Sequence, residues 1–293
     1  MRYLYYPGCS PTTSNKAYDL SARAVGRALG VELVELDDWN CCGATAYMSV
    51  RELSSFVISS RNLALAERQG GGDLVTVCSA CLTVLNKASR YMAENEDLRR
   101  AVSEALAVVG LQYSGGIRAR HLLDVLVHDV GLESIAEKAV NRLGGLRVAP
   151  YYGCQVSRPY GTFDDREFPV SMDRLFSHLG AEVVDFPLKA KCCGGMLVST
   201  NEGIALRLIR DLFACAVENG AQVIATVCPL CHINLEAYQG KINKRFKANY
   251  SLPIVYFTQL VGAALGLSRR ELGLGMELVP TERVLAGYKL AEP

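Results

Sequence analysis

The sequence lacks the features that mark exported and membrane-spanning proteins. Residues 1–20 contain no basic head followed by a sustained apolar core, so we expect no secretory signal. The longest apolar stretch near the end, residues 260–267, falls far short of the roughly 20 residues that span a bilayer. We therefore expect a cytoplasmic protein that makes no direct insertion into a membrane.

Motifs for nucleotide cofactors and for ordinary ferredoxin clusters are also missing from the sequence. Neither a G-x-G-x-x-G nor a G-x4-G-K-S/T pattern occurs, which leaves flavin, NAD and nucleotide binding without support. No ferredoxin-type C-x2-C-x2-C-x3-C-P run is present. The formal net charge of +1 over 293 residues gives no reason to expect nucleic acid as a partner.

Cysteine, in contrast, is abundant and regularly spaced. Ten of the eleven cysteines form two matching sets of five, with the pattern C-x31-CC-x35-C-x2-C followed by C-x37-CC-x34-C-x2-C. The first set is Cys9, Cys41, Cys42, Cys78 and Cys81, and the second is Cys154, Cys192, Cys193, Cys228 and Cys231. The remaining cysteine, Cys215, falls in a predicted helix, where we expect it to be a buried small hydrophobe.

The text around the cysteines repeats as well, which indicates an internal duplication. Matching segments are residues 5–9 and 151–154, residues 29–34 and 179–184, and residues 76–81 and 226–231. Two glycines, Gly144 and Gly145, interrupt the chain between the copies. We therefore expect two repeat domains, residues 1–145 and residues 146–293.

Short apolar runs that alternate with helical stretches predict an α/β fold. The predicted strands are residues 2–6, 32–36, 74–77, 147–151, 182–185 and 222–226, and the main predicted helices are residues 16–29, 50–68, 172–179 and 202–219. Residues 98–142 are predicted to be wholly helical, with a shorter helical equivalent after Cys231. This alternation predicts two repeats related by a pseudo-two-fold axis, each a small parallel sheet flanked by helices.

Each cysteine group follows a predicted strand. The carboxyl ends of parallel strands meet at one edge of a sheet, where open α/β folds build their sites. Five dispersed thiols in each half are therefore expected to converge on one place, which core packing does not explain.

Five converging thiolates favour an iron–sulfur cluster over a single metal ion. A C-x2-C pair alone also fits zinc or a redox dithiol, but a zinc site or an ordinary cubane needs only four protein ligands. The adjacent cysteines of each pair fit two irons of one cluster better than one tetrahedral ion. Disulfides are disfavoured by the odd cysteine count and the missing export signal. Zinc remains the main alternative.

Glycines stand directly after both adjacent cysteine pairs. Gly43 follows the first pair, and Gly194 and Gly195 follow the second. Glycine lets the backbone approach a bulky inorganic core, so these three residues are predicted to lie against the clusters. A turn that requires glycine after a strand is an equally good explanation on these grounds.

The two five-cysteine motifs resemble the CCG repeat, also called the cysteine-rich domain, and nearly all of the chain resembles the B subunit of heterodisulfide reductase. Segment 38–43, with the sequence DWNCCG, is closer to versions from bacterial sulfur metabolism. The resemblance implies that each set of five cysteines binds one non-cubane 4Fe-4S cluster. No position of either motif is missing, so both clusters are expected.

The resemblance also implies an activity and partners. The expected reaction is reduction, or in reverse formation, of a disulfide between two small thiols, which are coenzyme M and coenzyme B in methanogens. The expected partners are a ferredoxin-like subunit of the C type and a flavoprotein of the A type. Two other functions stay open: an electron relay between a flavoprotein and a quinone or carrier, and a zinc-stabilised scaffold without redox activity.

Overall fold

Two four-stranded parallel sheets, one in each half of the chain, form the centre of the fold in the computed structural model, which describes residues 1–44, 47–161 and 163–291. Within these ranges, no helix is both long enough and apolar enough to cross a membrane. The expected α/β class with two repeated halves is confirmed.

The first half begins with a strand whose last two residues are buried, and it alternates strands with helices. Its elements are β1 (Arg2–Tyr6), α1 (Lys16–Leu29), β2 (Glu32–Glu35), α2 (Tyr47–Val50), α3 (Glu52–Arg68), β3 (Gly72–Thr76), α4 (Ser79–Glu94), α5 (Glu96–Ala107), β4 (Ile117–His121), α6 (Leu122–Asp124), a π-helical segment (Val125–Gly131) and α7 (Leu132–Glu137).

The second half repeats this order. Its elements are β5 (Arg147–Tyr151), α8 (Ser171–His178), β6 (Glu182–Val183), α9 (Leu197–Thr200), α10 (Glu202–Glu218), β7 (Val223–Thr226), α11 (Pro229–Ala237), α12 (Gln239–Phe246), β8 (Ile254–Tyr256), α13 (Phe257–Ala264) and α14 (Glu282–Leu285). Its helices α8, α11 and α12 are shorter than their counterparts α1, α4 and α5.

The two sheets have the same strand order. It is β2-β1-β3-β4 in the first half and β6-β5-β7-β8 in the second, and all pairs are parallel. The central strands are apolar because helices cover both faces of each sheet. The chain leaves β1 and β3 towards opposite sides of the first sheet, so a crevice opens where their carboxyl ends meet. Both cysteine sets follow such ends.

The prediction that residues 98–142 are wholly helical is wrong, because this segment contains β4. Arg118 and Arg120 interrupt the apolar pattern by which a buried strand is recognised. Arg120 is only 7 % exposed, and its guanidinium is paired with the carboxylates of Asp73, Asp124 and Asp129. Paired in this way, a charged side chain is tolerated inside the fold. The equivalent strand β8 has only three residues, too few to be recognised from the sequence.

The helices that follow the fourth strand of each sheet cross to the other half. Helix α13 is buried over its whole length and packs against α1, while α6 and α7 pack against α8. The hydroxyl oxygens of Ser21 and Thr258 lie 2.6 Å apart in the first of these contacts. The two halves therefore share one hydrophobic core, although their sheets are separate.

Candidate metal centre

The first cysteine set converges at the carboxyl edge of the first sheet. Cys9 follows β1, and its sulfur lies 3.8 Å from that of Cys41. The sulfurs of Cys42 and Cys81 are 3.3 Å apart. Cys9 and Cys41 are exposed, whereas the other three thiols are buried. The structure thus brings together the five residues that the spacing selects, with one open side and one buried side.

The second set has the same arrangement and surrounds a cavity. The sulfurs of Cys193 and Cys231 are 3.4 Å apart. All five thiols of the set line a cavity of about 120 Å³, together with Ala44 and Ser79 of the first half. The second site therefore lies against the first half rather than inside one repeat.

The thiols meet in pairs around a space and not in a shell around one point. Among the residues that the structure describes, no three or more His, Cys, Asp or Glu side chains are placed to hold a metal ion as they stand. Five sulfurs around a cavity of this size are a donor set that suits a multi-iron cluster, because thiolates are the usual ligands of such clusters. The residues present therefore fit the group that the sequence predicts.

Hydrogen bonds favour the thiolate form of the first cysteine of each adjacent pair. Hydrogen bonds from the thiols of Cys42 and Cys9, and from the backbone N–H of Gly43, lower the pKa of Cys41 to about 2. The pKa of Cys192 is lowered to about 3 by the equivalent donors, Cys154 first. A thiolate held in this way is the form that binds iron.

The second cysteine of each pair keeps its proton more tightly. Its hydrogen bond to Cys41 raises the pKa of Cys42 to about 12, and the bond to Cys192 does the same for Cys193. The pKa values of the two cysteines are therefore shifted in the same directions in both halves.

The two sets approach one another at Cys78 and Cys228. These residues immediately precede α4 and α11, and both have extended backbones. The pKa of Cys228 is lowered well below its usual value by hydrogen bonds from the thiols of Cys231 and Cys78, and from two N–H groups at the start of α11. The pKa of Cys78 is raised, first by its hydrogen bond to Cys228. The contact joins the sites across the halves.

In each half, a buried tyrosine hydrogen-bonds to the backbone just before the adjacent cysteine pair. The Tyr6 hydroxyl donates to the carbonyl of Asn40 at 2.8 Å, and Tyr151 donates to the carbonyl of Lys191 at 2.8 Å. Each carbonyl belongs to the residue just before a cysteine pair. Burial and then the neighbouring cysteines raise the pKa of both tyrosines, so the hydroxyls remain donors. These tyrosines could have been found from the sequence, because a tyrosine stands three residues before both Cys9 and Cys154.

Other polar contacts around the pairs differ between the halves. In the first, the Ser59 hydroxyl donates to the carbonyl of Cys42 at 2.6 Å. In the second, the Asn234 amide donates to the carbonyl of Cys193 at 3.2 Å and to that of Gly195 at 2.9 Å. Sequence reasoning missed these residues, because neither follows a repeated motif.

The glycines after the pairs have a role that the sequence did not predict. A Cβ added to Gly43 would lie 3.0 Å from the Ser55 hydroxyl, and one added to Gly194 would lie 3.1 Å from Ala205. Glycine at these two places thus allows a helix to approach, and the approach of Gly43 and Gly194 to a cluster stays a prediction. A Cβ at Gly195 would meet nothing within 4 Å, so its approach to a cluster stays a prediction.

Two earlier glycines do face the cysteine sulfurs. A Cβ on Gly8 would lie 3.1 Å from the sulfur of Cys81, and a Cβ on Gly153 would lie 3.0 Å from that of Cys231. Both have positive φ, 79° and 65°. Glycine is therefore required here by backbone conformation and by space.

Two further residues lie outside the cysteine sets. Cys215 is half-buried on α10, where Asn219 and the backbone of Leu188 contact its thiol. His232, next to Cys231, bonds through Nε2 to the carbonyl of Ile254 at 3.1 Å. Neither side chain adds a ligand to a set.

Comparison with known proteins gives a consistent match over nearly the whole chain. The family described as cysteine-rich domain (CCG) matches residues 3–86 and 148–236, which contain every cysteine of both sets. The heterodisulfide reductase B-subunit-like protein of Archaeoglobus profundus is 32% identical, with 97% of each chain covered. The B subunit of the ferredoxin/F420H2-dependent CoB-CoM heterodisulfide reductase of Methanosarcina acetivorans is 29% identical, over 96% of this chain and 95% of that protein.

One relative of equal identity has a different name. The 8-methylmenaquinol:fumarate reductase membrane anchor subunit of Wolinella succinogenes is 32% identical, over 96% of this chain and 98% of that protein. Among solved structures, a hypothetical protein from Helicobacter pylori superposes with a TM-score of 0.76 at 17% identity. It covers 95% of this chain and 52% of that protein, and supports the fold.

Proposed function

The chain belongs to the CCG cysteine-rich domain family, which includes heterodisulfide reductase B subunits, and from this premise we propose that it is the catalytic subunit of a heterodisulfide reductase-like complex. In this proposal it reduces, or in reverse forms, a disulfide between two small thiols. The observation that supports it most is that two complete five-thiol sets lie side by side: Ser79, which follows Cys78, lines the cavity of the second set, and its hydroxyl bonds to the carbonyl just before Cys228.

Members of this family carry iron–sulfur clusters, and we place one non-cubane 4Fe-4S cluster in each repeat, residues 1–145 and residues 146–293. The first would be held by Cys9, Cys41, Cys42, Cys78 and Cys81, and the second by Cys154, Cys192, Cys193, Cys228 and Cys231. When bound, the clusters would deliver the two electrons that cleavage of a disulfide consumes. The cavity lined by the second set supports this placement.

The chain itself orients and shields the reaction. Leu230, Met196 and Ala44 give the cavity apolar walls, which restrict water near the thiols. Cys9 and Cys41 are exposed, so the first set is open to a substrate or partner. The cavity of the second set is bounded on one side by Ala44 and Ser79 of the first half. This difference in exposure between the open side and the enclosed side suits a small disulfide that enters from solvent and leaves as two thiols.

The remaining expectations form part of the proposal. We expect a ferredoxin-like subunit and a flavoprotein as partners, because the matched relatives are named as subunits of larger reductases. Segment 38–43 favours a relationship to the versions from bacterial sulfur metabolism. A cytoplasmic location stays a prediction.

The Wolinella relative favours a second function, electron relay. Its name places it in a menaquinol:fumarate reductase, where a disulfide is not the named substrate. In this alternative the chain passes electrons between a flavoprotein and a quinone, and its thiol sets hold relay clusters only.

Iron analysis of anaerobically purified protein tests for the two iron–sulfur clusters, which both proposed functions require. Two complete sets predict about eight irons and about eight sulfides per chain, in two spectroscopically separable sites. A content of about four irons with zinc in the other half would make one repeat structural. Zinc in both halves would contradict the cluster assignment.

Substrate-induced spectroscopy separates the two functions. A thiol that binds at an iron changes the electronic environment of that iron, so thiol added under oxidising conditions should produce a new paramagnetic species. Its signal should broaden when the thiol carries sulfur-33, with the natural-abundance thiol as control. A relay should show changes of redox state alone. An unbroadened signal across a panel of cellular thiols would favour the relay.

A further inference from the structure

Three side chains of the first half converge on one backbone carbonyl of the second half. The carbonyl of Val227 accepts hydrogen bonds from Nε2 of His121 at 3.0 Å, from the Tyr18 hydroxyl at 3.1 Å and from the Ser79 hydroxyl at 3.4 Å. Val227 immediately precedes Cys228. The donors are fully or almost fully buried, so water does not compete with them.

The hydrogen bonds of His121 define its tautomer. Its Nδ1 accepts the backbone N–H of Leu123 at 3.1 Å, so the single proton of the neutral ring is on Nε2 and points to Val227. Burial lowers the pKa of His121 to about 4, which keeps the ring neutral near pH 7. The ring is 0% exposed at the end of β4, and the two hydrogen bonds hold it in this orientation.

A carbonyl oxygen has two lone pairs, and here three donors surround it. Three side chains of the first half therefore hold the Val227–Cys228 peptide in position. Cys228 also shares the lining of one cavity with Ser79, the residue after Cys78. The same donors consequently set the distance between the two cysteine sets.

The reverse contact does not follow the pseudo-two-fold symmetry. Tyr256 ends β8 as His121 ends β4, since the two residues pair with Thr226 and Thr76 in equivalent registers. The Tyr256 hydroxyl, however, donates to the side chain of Asn15 at 2.5 Å. The bonds to Val227 therefore join side chains of the first half to the backbone of the second half, and Tyr256 does not make the equivalent bond in the reverse direction.

We propose that His121 and Tyr18 are positioning residues that fix Cys228, and through it the second cysteine set, from the first half of the chain. The inference rests on the proposed iron–sulfur function, because that function gives the second cysteine set its role. Its first test, however, does not require iron. It predicts that changes in the first half alter the second site selectively.

Two pairs of variants isolate the hydrogen bonds. Tyr18→Phe removes the bond to Val227, and Tyr256→Phe removes a buried hydroxyl from the ring stacked on it, so the second variant is a matched control. His121→Leu removes the imidazole donor, while His121→Gln places an amide N–H near the position of Nε2 and should restore part of the effect. If His121→Leu does not fold, the tyrosine pair still decides.

The first readout does not depend on iron. Hydrogen–deuterium exchange of residues 226–231 should speed up about fivefold in Tyr18→Phe, the factor for one lost hydrogen bond, and more in His121→Leu. Exchange there should stay at the wild-type rate in Tyr256→Phe. Equal acceleration in both tyrosine variants, or none in Tyr18→Phe, would overturn the inference.

The second readout is the spectrum of each site in the loaded protein. Signals lost from Cys193→Ser protein belong to the second set, and these signals should shift in Tyr18→Phe and His121→Leu, with recovery in His121→Gln. Equal shifts at the first site would indicate general loosening and contradict selective positioning. Wild-type protein without iron would refute the proposed function, and the exchange experiment would then decide the inference by itself.

Discussion

The ring of Tyr18 in the first half stacks on the ring of Tyr256 in the second, with centroids 3.9 Å apart and planes 12° apart. Both rings are at most 1% exposed, and the His232 ring continues the stack with its centroid 4.2 Å from that of Tyr256. Together with the packing of α13 on α1, this column makes the interface between the halves part of the core.

A shared core predicts that the halves do not fold separately. Residues 1–144 and 145–293, produced alone, should lack a cooperative unfolding transition, because each would expose the face that the other covers. Co-produced halves should associate and recover the transition. Intact protein with a protease site between Gly144 and Gly145, cleaved after purification, is the control and should remain folded. A cooperative transition in either isolated half would contradict the prediction.

Tyr6 and Tyr151 should act on one cysteine pair each. Tyr6→Phe removes the hydrogen bond to Asn40, so it should alter the spectrum of the first site only and cost about 1 kcal/mol of unfolding free energy. Tyr151→Phe should do the same at the second site.

Tyr5→Phe is the control for these variants. Tyr5 is equally buried on the same strand, and its hydroxyl donates to Asp19 at 2.9 Å, away from the cysteine pair. It should lower stability and leave both spectra unchanged. A spectral change at both sites in Tyr6→Phe would mean that the tyrosine acts through the fold as a whole.

Much of this fold could be predicted because its central strands are short and apolar and its repeats are complete. The predicted strands at residues 2–6 and 147–151 and the helix at residues 16–29 have the bounds that the structure gives them. Repetition helped because each element could be checked against its copy.

The elements that sequence reasoning missed depend on long-range contacts. Strand β4 contains Arg120, whose burial makes sense only once Asp73 and Asp129 are beside it. In the same way, the ten cysteines could be predicted from their spacing, but not the contact of Cys78 with Cys228. That contact depends on the helices of each half that pack against the other half. No local pattern in the sequence predicts such packing.

Buried neutral histidines predict a loss of stability in acid. Burial lowers the pKa values of His121 and His232 to about 4 from an ordinary value near 6.5. The unfolded chain therefore binds more protons than the folded chain between these values, so the free energy of unfolding falls as the pH falls through this window. The shift of His121 sets an upper limit of about 3 kcal/mol for its share.

Urea unfolding of the protein as isolated, at pH values from 7 to 5, measures this slope. His121→Gln removes one of the two histidines with a lowered pKa and should flatten the pH dependence, although it lowers stability at pH 7. An unchanged slope in the variant would show that His121 is not buried in its neutral form.

Single cysteine replacements should affect one site at a time. Cys42→Ser should reduce iron content and remove the signal of the first site, and Cys193→Ser should do so for the second, because each belongs to a separate set. Cys215→Ser is the matched control, since this thiol lies outside both sets, and it should keep the wild-type iron content. Loss of both signals from one replacement, in a protein that remains folded, would contradict two separate ligand sets.

Gly8 and Gly153 provide the test of space around the sulfurs. Gly8→Ala would place a Cβ 3.1 Å from the sulfur of Cys81, and Gly30→Ala has nearly the same positive φ, 77° against 79°, with nothing within 4 Å. Both variants should lose about 1 kcal/mol of stability from backbone strain. Only Gly8→Ala should also lower the iron content of the first site, and Gly153→Ala that of the second. Iron analysis alongside thermal unfolding separates the two effects, and equal iron loss in Gly30→Ala would show that strain alone is responsible.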